Sequence, residues 1–212
     1  MNELKYKNKN RKVVDGPMRN KQRSKAKILT AVGAILRDQG HSSLTITNIS
    51  KVMEMNAKLI YLYFGSVDEL IKTYVDSKNY WNQLENNEQR VLSDNTCNST
   101  RDIVMFKINN IIEFFSEHKD FLALLVWDLV GAPNVLKTFS CEKRKYFSTF
   151  FKNEVAGRDE NCKLESLDIL ISSVITMSLY ARNGRSWMGI SLNEPSDRQR
   201  IIEKLWSIIN YS

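Results

Sequence analysis

The chain has 212 residues, a formal net charge of +7 and 42% hydrophobic residues, which is enough for one or two domains with a real core. Only 8 Gly and 3 Pro disfavour an all-β or loop-rich fold, because turns need both residues. The three cysteines, Cys97, Cys141 and Cys162, are odd in number and too far apart for a CxxC pair. Neither a disulfide framework nor a zinc site is therefore indicated, and we expect free thiols in a reducing cytoplasm.

Neither a signal peptide nor a membrane span is expected. The first residues lack an apolar segment of the signal-peptide type. The two most apolar stretches, 121–130 and 167–181, each carry an aspartate and are shorter than the about 20 residues that cross a bilayer. We interpret both as buried helices of a protein that works in the cytoplasm.

The positive charge is concentrated in the N-terminal third. Residues 1–65 hold thirteen basic and four acidic residues, a net charge of +9, so that the rest of the chain carries −2. This asymmetry is typical of a nucleic-acid-binding module joined to a near-neutral one. The alternative is a basic tail that only keeps the protein in solution. Residues 1–18 form a basic arm that we expect to be flexible. It either contacts DNA phosphates or a minor groove, or is an inert leader.

Apolar spacing predicts a first helix over about residues 19–39. Ile28, Val32 and Ile35 share one face, and Gly40 is a natural residue to end the helix. Lysines and arginines crowd its first turns, where the helix dipole disfavours cations. A nearby phosphate would relieve this conflict, whereas the alternative is a solvated basic face.

The stretch Leu44–Leu70 predicts a helix-turn-helix followed by the start of a connecting helix. Thr45 can cap a short helix up to Val52, although Leu44–Thr47 alternates like a strand. Residues 54–56 supply the turn. Asn56 can cap the next helix, which runs from residue 57 to about residue 63.

The connecting helix begins with a capping box. Ser66 and Glu69 match the S-x-x-E pattern, which predicts a helix that starts at Val67. Leu70, Ile71, Tyr74 and Val75 continue its apolar face, and we expect the helix to reach Trp81 or beyond.

This stretch resembles the N-terminal part of the tetracycline-repressor (TetR) family of bacterial transcription regulators. The matching residues are Thr45, Ile49-Ser50, Asn56, Tyr61-Leu62-Tyr63-Phe64 and Ser66-Val67-Asp68-Glu69-Leu70. The match covers about the first third of the chain. It implies an all-α fold of about nine helices, in which a three-helix DNA-binding head at 19–75 precedes a ligand-binding and dimerisation bundle at 76–212.

Three residues depart from the family pattern. Glu54 stands where the family usually has its turn glycine, so the turn needs a strained residue or a different geometry. Met53 replaces a small residue, which suggests looser packing between the two short helices. Val67 replaces the common lysine that contacts a phosphate.

The resemblance implies that the second short helix enters the major groove of double-stranded DNA. Its base-facing residues would be Asn56, Ala57, Lys58 and Leu59. Lys58 can donate to guanine, and Ala57 or Leu59 can contact a thymine methyl group. Phosphates would be held by the hydroxyl groups of Thr45, Thr47, Tyr61 and Tyr63. Core packing is the alternative for the two tyrosines.

Five further helices are predicted after about residue 82. Apolar periodicity places them at 100–117, 118–130, 134–155, 163–183 and from Ser196, which opens an S-x-x-Q capping box. The resemblance implies that the last two form a homodimer interface. Residues 163–183 are apolar nearly all round, as a helix between its own domain and a partner would be. The alternative is one buried helix in a monomer.

The resemblance also implies a pocket for an unidentified small-molecule effector inside the bundle. The candidate lining residues are Phe106, Asn110, Phe114, Trp127, Asp128, Phe147, Phe150, Met177 and Tyr180. Each aromatic residue also fits a simple core. Asp128 interrupts an apolar run, so that if it is buried it needs a partner and would suit a cationic or hydrogen-bonding ligand.

The leading hypothesis is a ligand-responsive transcriptional repressor that binds a palindromic operator as a homodimer. The alternative is an all-helical dimeric small-molecule-binding module with little or no operator-specific DNA binding. An enzyme is not expected, because no nucleophile–base set, P-loop or dinucleotide fingerprint appears. No cofactor is expected either, and His41 and His118 are too far apart in sequence for a local metal pair.

Overall fold

The computed structural model describes residues 17–93, 99–131, 134–150 and 160–211. The described part forms ten α-helices and contains no β-strand beyond a single bridge between Trp187 and Ile190. The predicted all-α fold is thereby confirmed. The helices are α1 (Pro17–Asp38), α2 (Ile46–Met53), α3 (Lys58–Phe64), α4 (Val67–Lys78), α5 (Tyr80–Ser93), α6 (Thr100–Glu117), α7 (Lys119–Leu129), α8 (Lys137–Phe150), α9 (Glu160–Arg182) and α10 (Pro195–Tyr211).

Two short 3-10 turns, His41–Ser43 and Asn134–Leu136, precede α2 and α8. Several predicted features lie outside the described residues: positions 1–16 of the basic arm, the end of the helix predicted over 134–155, and Cys97. Cys141 is an exposed free thiol. Among the helices that the structure describes, none is both long and apolar enough to cross a membrane.

Side-chain caps fix the starts of the helices around the predicted motif. The Thr45 hydroxyl accepts a hydrogen bond from the Asn48 N–H at 3.2 Å, and the Ser66 hydroxyl accepts one from the Glu69 N–H at 3.1 Å. Both predicted caps are confirmed, and each such cap stabilises its helix by about 1 kcal/mol. Ser99 caps α6 in the same way, through the Asp102 N–H at 3.2 Å.

The connecting helix is shorter than predicted. It ends at Lys78, because Asn79 takes the left-handed conformation with φ 48° and ψ 43°. Asparagine tolerates this conformation better than most residues, which permits a break where apolar spacing alone suggests continuity. A separate helix, α5, then carries Tyr80 and Trp81 into the core, so that the described residues form ten helices instead of about nine.

The last helix also starts earlier than predicted, at Pro195 instead of Ser196. Pro195 occupies the first helical position, where its missing N–H leaves no helical hydrogen bond unmade. The Asp197 side chain accepts a hydrogen bond from the Ser191 N–H at 2.9 Å and so joins α10 to the preceding segment.

One continuous hydrophobic cluster runs through the described part of the chain, from Ile28 in α1 to Leu205 in α10. Its largest fully buried side chains include Tyr74, Phe115, Phe121 and Phe139. α1 packs against α2, α4 and α7. The N-terminal helices are therefore packed directly on the bundle, and a change in the bundle core has a physical route to them.

Candidate nucleic-acid interface

The turn between α2 and α3 is built around a left-handed glutamate. Glu54 has φ 52° and ψ 40°, the conformation that a glycine would adopt without strain. Ser50 makes two hydrogen bonds to Met55 across the turn. Its carbonyl accepts from the Met55 N–H at 3.3 Å, and its hydroxyl donates to the Met55 carbonyl at 2.7 Å. Of the two alternatives for Glu54, the structure has the strained residue. Met53, the other unusual residue here, is fully buried in the core.

Asn56 and Ile60 set the position of α3. The Asn56 side-chain oxygen accepts a hydrogen bond from the Lys58 N–H at 2.9 Å, as the predicted cap requires. Ile60 is fully buried, and Phe64 packs against the core. The opposite face of the helix must therefore point away from the protein.

That outward face consists of Lys58, Tyr61 and Leu62. The three residues share one side of α3 because they are spaced at i, i+3 and i+4. Tyr61 is 54% exposed and Leu62 is 71% exposed. Leu62 was not among the predicted site residues, although its spacing from Lys58 is a sequence signal that places it on this face.

The predicted DNA-contacting residues fall into two groups. Leu59 and Tyr63 are half-buried and pack against the core, and Ala57 is half-buried. The exposed members of the set are Thr45, Thr47, Asn56, Lys58 and Tyr61. The exposed hydroxyl groups therefore lie at the start of α2 and in the middle of α3.

Exposed cations lie on the helices of this unit. Among the described residues of α1 and α2 they are Lys21, Arg23, Lys27, Arg37 and Lys51. Lys25 is half-buried, and its ammonium lies 5.4 Å from the centre of the Phe64 ring. This distance is within the range of a cation–π contact, so one of the α1 cations is held against α3.

A buried carboxylate joins the N-terminal helices to the bundle. Asp120, in the first turn of α7, accepts hydrogen bonds from the hydroxyl groups of Tyr74 in α4 and Tyr80 in α5, the latter at 2.6 Å. Burial opposes ionisation of Asp120, but the two tyrosine hydrogen bonds together hold its pKa below the usual value. Burial raises the pKa of both tyrosines, so they remain neutral donors.

α1 approaches this cluster closely through Gly33. A Cβ atom at Gly33 would lie 2.7 Å from the Tyr74 hydroxyl oxygen, which is too close for an unshifted methyl group. The sequence gives no local signal for this cluster, because Tyr74 and Asp120 are 46 residues apart.

Two further contacts hold the C-terminal end of α1. Arg182, at the end of α9, donates through one guanidinium nitrogen to the Leu36 carbonyl at 3.1 Å and to the Arg37 carbonyl. His41 stacks on Trp127 of α7, with ring centres 5.4 Å apart and planes at 14°. The described parts of α7 and α9 thus both contact the segment that leads into α2.

Of the candidate effector-pocket residues, Asp128 has partners within the protein. Its buried side chain forms an ion pair with Lys143 and accepts a hydrogen bond from Ser140, both on α8. Trp127 stacks on His41. Phe114 is buried, and its ring centre lies 4.0 Å from the ring centre of His118. Phe106, Asn110, Phe147, Met177 and Tyr180 are half-buried, and the Phe150 side chain lies outside the described residues.

A second buried acid lies beside Asn110. Glu88 of α5 accepts a hydrogen bond from the Tyr146 hydroxyl of α8. Burial raises the pKa of Glu88 to about 7, although the Tyr146 hydrogen bond, the nearby Lys107 charge and Asn110 act in the opposite direction. No local motif marks this pair, because the two residues are 58 positions apart.

Comparison with solved structures gives one consistent result. A TetR-family transcriptional regulator from Bordetella parapertussis superposes with a TM-score of 0.64 at 12% identity, over 85% of this chain and 93% of that one. A TetR-family transcriptional regulator from Haemophilus influenzae superposes with a TM-score of 0.51 at 18% identity, over 89% of this chain and 97% of that one. A TetR transcriptional regulator from Rhodococcus sp. superposes with a TM-score of 0.50 at 13% identity, over 89% of this chain and 97% of that one.

Sequence comparison alone finds no relative: no protein-family model matches the chain, and no curated protein does. The likeness therefore lies in the arrangement of the helices, over nearly the full length of the solved regulators. The chain has the fold of the TetR-family transcriptional regulators.

Proposed function

We propose that this protein is a DNA-binding transcriptional regulator. The observation that carries the proposal is the outward face of α3, where Lys58, Tyr61 and Leu62 project from a helix anchored by the buried Ile60. An α-helix of this kind fits the major groove of B-DNA. The surrounding lysines and arginines supply the phosphate attraction that non-specific DNA affinity needs. In this proposal residues 19–75 bind DNA and residues 76–212 regulate that binding.

Each of the predicted residues, and Leu62 beside them, has a role that its chemistry permits. Lys58 donates to guanine O6 and N7, and Leu62 contacts a thymine methyl group, with Ala57 and Leu59 as the less exposed apolar neighbours. Asn56 contacts a base edge at the start of the helix. The hydroxyl groups of Thr45, Thr47, Tyr61 and Tyr63 position the unit on phosphates without reading sequence.

We further propose that the regulator is a homodimer joined by α9 and α10. Ile169 on α9 is 69% exposed, so a partner helix that covers it would gain hydrophobic burial. The neighbouring Ser172 is exposed and small enough for a partner helix to approach closely. A two-fold dimer would present two copies of α3 to half-sites about one helical turn apart, as a palindromic operator requires.

We propose repression as the mode of action, relieved by an effector. The supporting contacts are those that tie α1 and α4 to α7 and α9 through Asp120 and Arg182. A ligand that prefers one arrangement of the bundle would shift the spacing of the two heads. Such a shift needs a difference in ligand affinity between the two arrangements.

Selection of bound duplexes from a random DNA pool tests the proposal. We expect a palindrome with a fixed half-site spacing. Lys58→Ala should weaken binding to the selected duplex about tenfold or more and relax the preference at one base pair. Lys145→Ala, at an exposed position of α8 outside the proposed dimer interface, is the matched control and should leave binding unchanged. Recovery of unrelated sequences with equal affinity would contradict the proposal.

A second candidate is a helical small-molecule-binding dimer with little operator-specific DNA binding. The observation that favours it is the outward face of α3, which carries a largely exposed leucine and a single charge. The same DNA selection separates the two candidates, since this one predicts that Lys58→Ala and Tyr61→Ala both leave DNA affinity unchanged.

A further inference from the structure

A cleft of about 280 Å³ lies where α6, the first residue of α7, the end of α9 and the segment of residues 183–194 meet. None of the predicted effector-pocket residues lines it. We infer that this cleft binds a small organic anion through Lys119, Ser178 and Arg182. We also infer that Arg182 transmits the binding to α1, a coupling that rests on the proposed regulatory function.

Ser178 provides an unpaired polar group in the wall of the cleft. The residue is 6% exposed, and its hydroxyl has no hydrogen-bond partner among the described residues. A buried hydroxyl without a partner has lost its hydrogen bonds to water without replacing them, and such groups in native proteins call for an explanation. A bound molecule that accepts from this hydroxyl would supply the missing partner.

The charges in the wall are positive. Of the described residues that line the cleft, Lys119 and Arg182 are cationic and none is a carboxylate. The two acidic groups whose charges act on Arg182 are Asp38 and Asp120. Asp120 is already engaged by Tyr74 and Tyr80. The wall therefore favours an anion over a neutral or cationic molecule.

The guanidinium of Arg182 has donors available for that anion. A guanidinium carries five N–H groups in a planar fork, and the two described hydrogen bonds of Arg182 both leave from Nη2. The N–H groups on Nε and Nη1 have no acceptor among the described residues. Such a fork matches the paired oxygens of a carboxylate or a phosphate group.

The remaining wall residues favour a ligand with an apolar portion, and the volume of the cleft limits its size. Ile112, Phe115 and Leu192 provide an apolar side, which suits a hydrocarbon portion and disfavours a bare inorganic ion. The volume is below the range of about 300–1,000 Å³ that is typical of sites for drug-sized ligands. A short alkyl or aryl group that bears one anionic head fits these limits.

Arg182 connects the cleft to the N-terminal helices. Its Nη2 donates to the carbonyl groups of Leu36 and Arg37, in the last turn of α1. An anion that draws the guanidinium into the cleft competes with these carbonyl acceptors. Because α1 packs on α2, the ligand would bias the position of the helix-turn-helix relative to the bundle.

Ligand binding is tested on the full chain without DNA, by calorimetric titration with three probes. Butyrate and propyl phosphate represent the two anionic heads, and butyramide is the uncharged match for butyrate. We expect one or both anions to bind and butyramide not to bind. Failure of both anions at about 10 mM, a concentration that detects even dissociation constants in the millimolar range, or equal binding of butyramide, would overturn the anion site.

Three variants locate the binding. Lys119→Gln and Ser178→Leu should each weaken the anion about tenfold or more, as expected when a charge-assisted contact is lost or the cleft is filled. Lys145→Gln, which removes an exposed charge on α8 away from the cleft and from the proposed dimer interface, should have no effect. Arg182→Gln also removes the contact with α1 and can unfold the chain, so the test does not depend on it. Unchanged affinity in both Lys119→Gln and Ser178→Leu would overturn the assignment.

The coupling is then measured as the affinity for a selected DNA duplex with and without saturating butyrate or propyl phosphate. We expect the anion to change DNA affinity by about fivefold or more in the native chain, and not in Lys119→Gln at the same concentration. Binding of both ligands without mutual influence would overturn the coupling through Arg182. If the anion binds but no DNA does, the anion site stands and the proposed regulatory function fails.

Discussion

Glu54 has a backbone conformation that is costly for any residue with a side chain. The left-handed region costs an L-residue roughly 1–2 kcal/mol, whereas glycine enters it freely but loses about 0.4–1 kcal/mol through the greater freedom of the unfolded chain. We therefore expect Glu54→Gly to stabilise the protein by up to about 1 kcal/mol, measured by urea denaturation. Glu54→Gln removes the charge, keeps the strain and should not stabilise. Equal stabilities of the two variants would contradict the strain argument.

Glu88 is a residue whose titration should be visible in the stability of the whole chain. Its pKa is about 7 in the folded protein against 4.5 ordinarily, so between these values the folded state retains a proton that the unfolded state has released. Stability should therefore fall as pH rises from about 4.5 to 7, by up to about 3 kcal/mol, and then level off.

The Glu88→Gln variant isolates this effect. Because glutamine does not titrate, the free energy of unfolding of the variant should not fall between pH 4.5 and 7. Relative to the native chain, the variant should therefore become more stable as pH rises. Glu203→Gln, at an exposed position of α10, should follow the native curve. Denaturation midpoints over this pH range check the prediction, and parallel curves for Glu88→Gln and the native chain would contradict it.

At the scale of elements, the close approach of α1 and α4 depends on Gly33. The Cβ atom of Gly33→Ala would meet the Tyr74 hydroxyl at 2.7 Å and push Tyr74 away from Asp120. Such overpacking typically costs about 1–3 kcal/mol. We expect this loss in thermal or urea denaturation of Gly33→Ala, together with weaker DNA binding if the joint positions the helix-turn-helix.

A double-mutant cycle identifies the atom responsible. Tyr74→Phe removes the hydroxyl that clashes, so Gly33→Ala should cost about 1 kcal/mol less in the Tyr74→Phe background than in the native chain. Ala34→Ser, one position along α1 and half-buried, is the control and should show additive effects with Tyr74→Phe. Additive effects of Gly33→Ala and Tyr74→Phe would show that the clash lies elsewhere.

Prediction from sequence succeeded for elements whose signals are local. The caps at Thr45 and Ser66 act over three residues, and the apolar spacing of α6 covers the whole helix, so each is visible within one short stretch. The break at Asn79 was missed because the residues around it continue an apolar helical face on both sides. Asparagine permits a left-handed residue but does not require one.

Contacts between distant elements were not predictable in this way. Asp120 meets Tyr74 and Tyr80, and Glu88 meets Tyr146, only because the bundle brings four helices together. Leu62 is different, because its exposed position follows from the helical spacing that placed Lys58 and Tyr61 outward. The lining of the cleft at Arg182 again depends on tertiary packing, and single-sequence periodicity gave no indication of it.

At the scale of the whole molecule, the proposed dimer makes a prediction about charge at one exposed apolar position. Ile169 is 69% exposed on α9, and a lysine there would place two charges in a symmetric contact. Ile169→Lys should weaken dimerisation about tenfold or more, measured by analytical ultracentrifugation over a range of concentrations. It should also reduce the affinity for a two-half-site duplex more than that for a single half-site.

Leu129→Lys is the matched control for this experiment, since Leu129 is 59% exposed at the end of α7 and lies outside the proposed interface. It should leave both the sedimentation and the DNA affinity close to those of the native chain. If the two lysine variants behave alike, exposure of Ile169 has no connection with self-association. If only Ile169→Lys is monomeric and also loses the two-half-site preference, then α9 joins the subunits and the spacing of the two α3 helices depends on it. Any ligand that moves α9 at Arg182 would then act on both the head and the dimer at once.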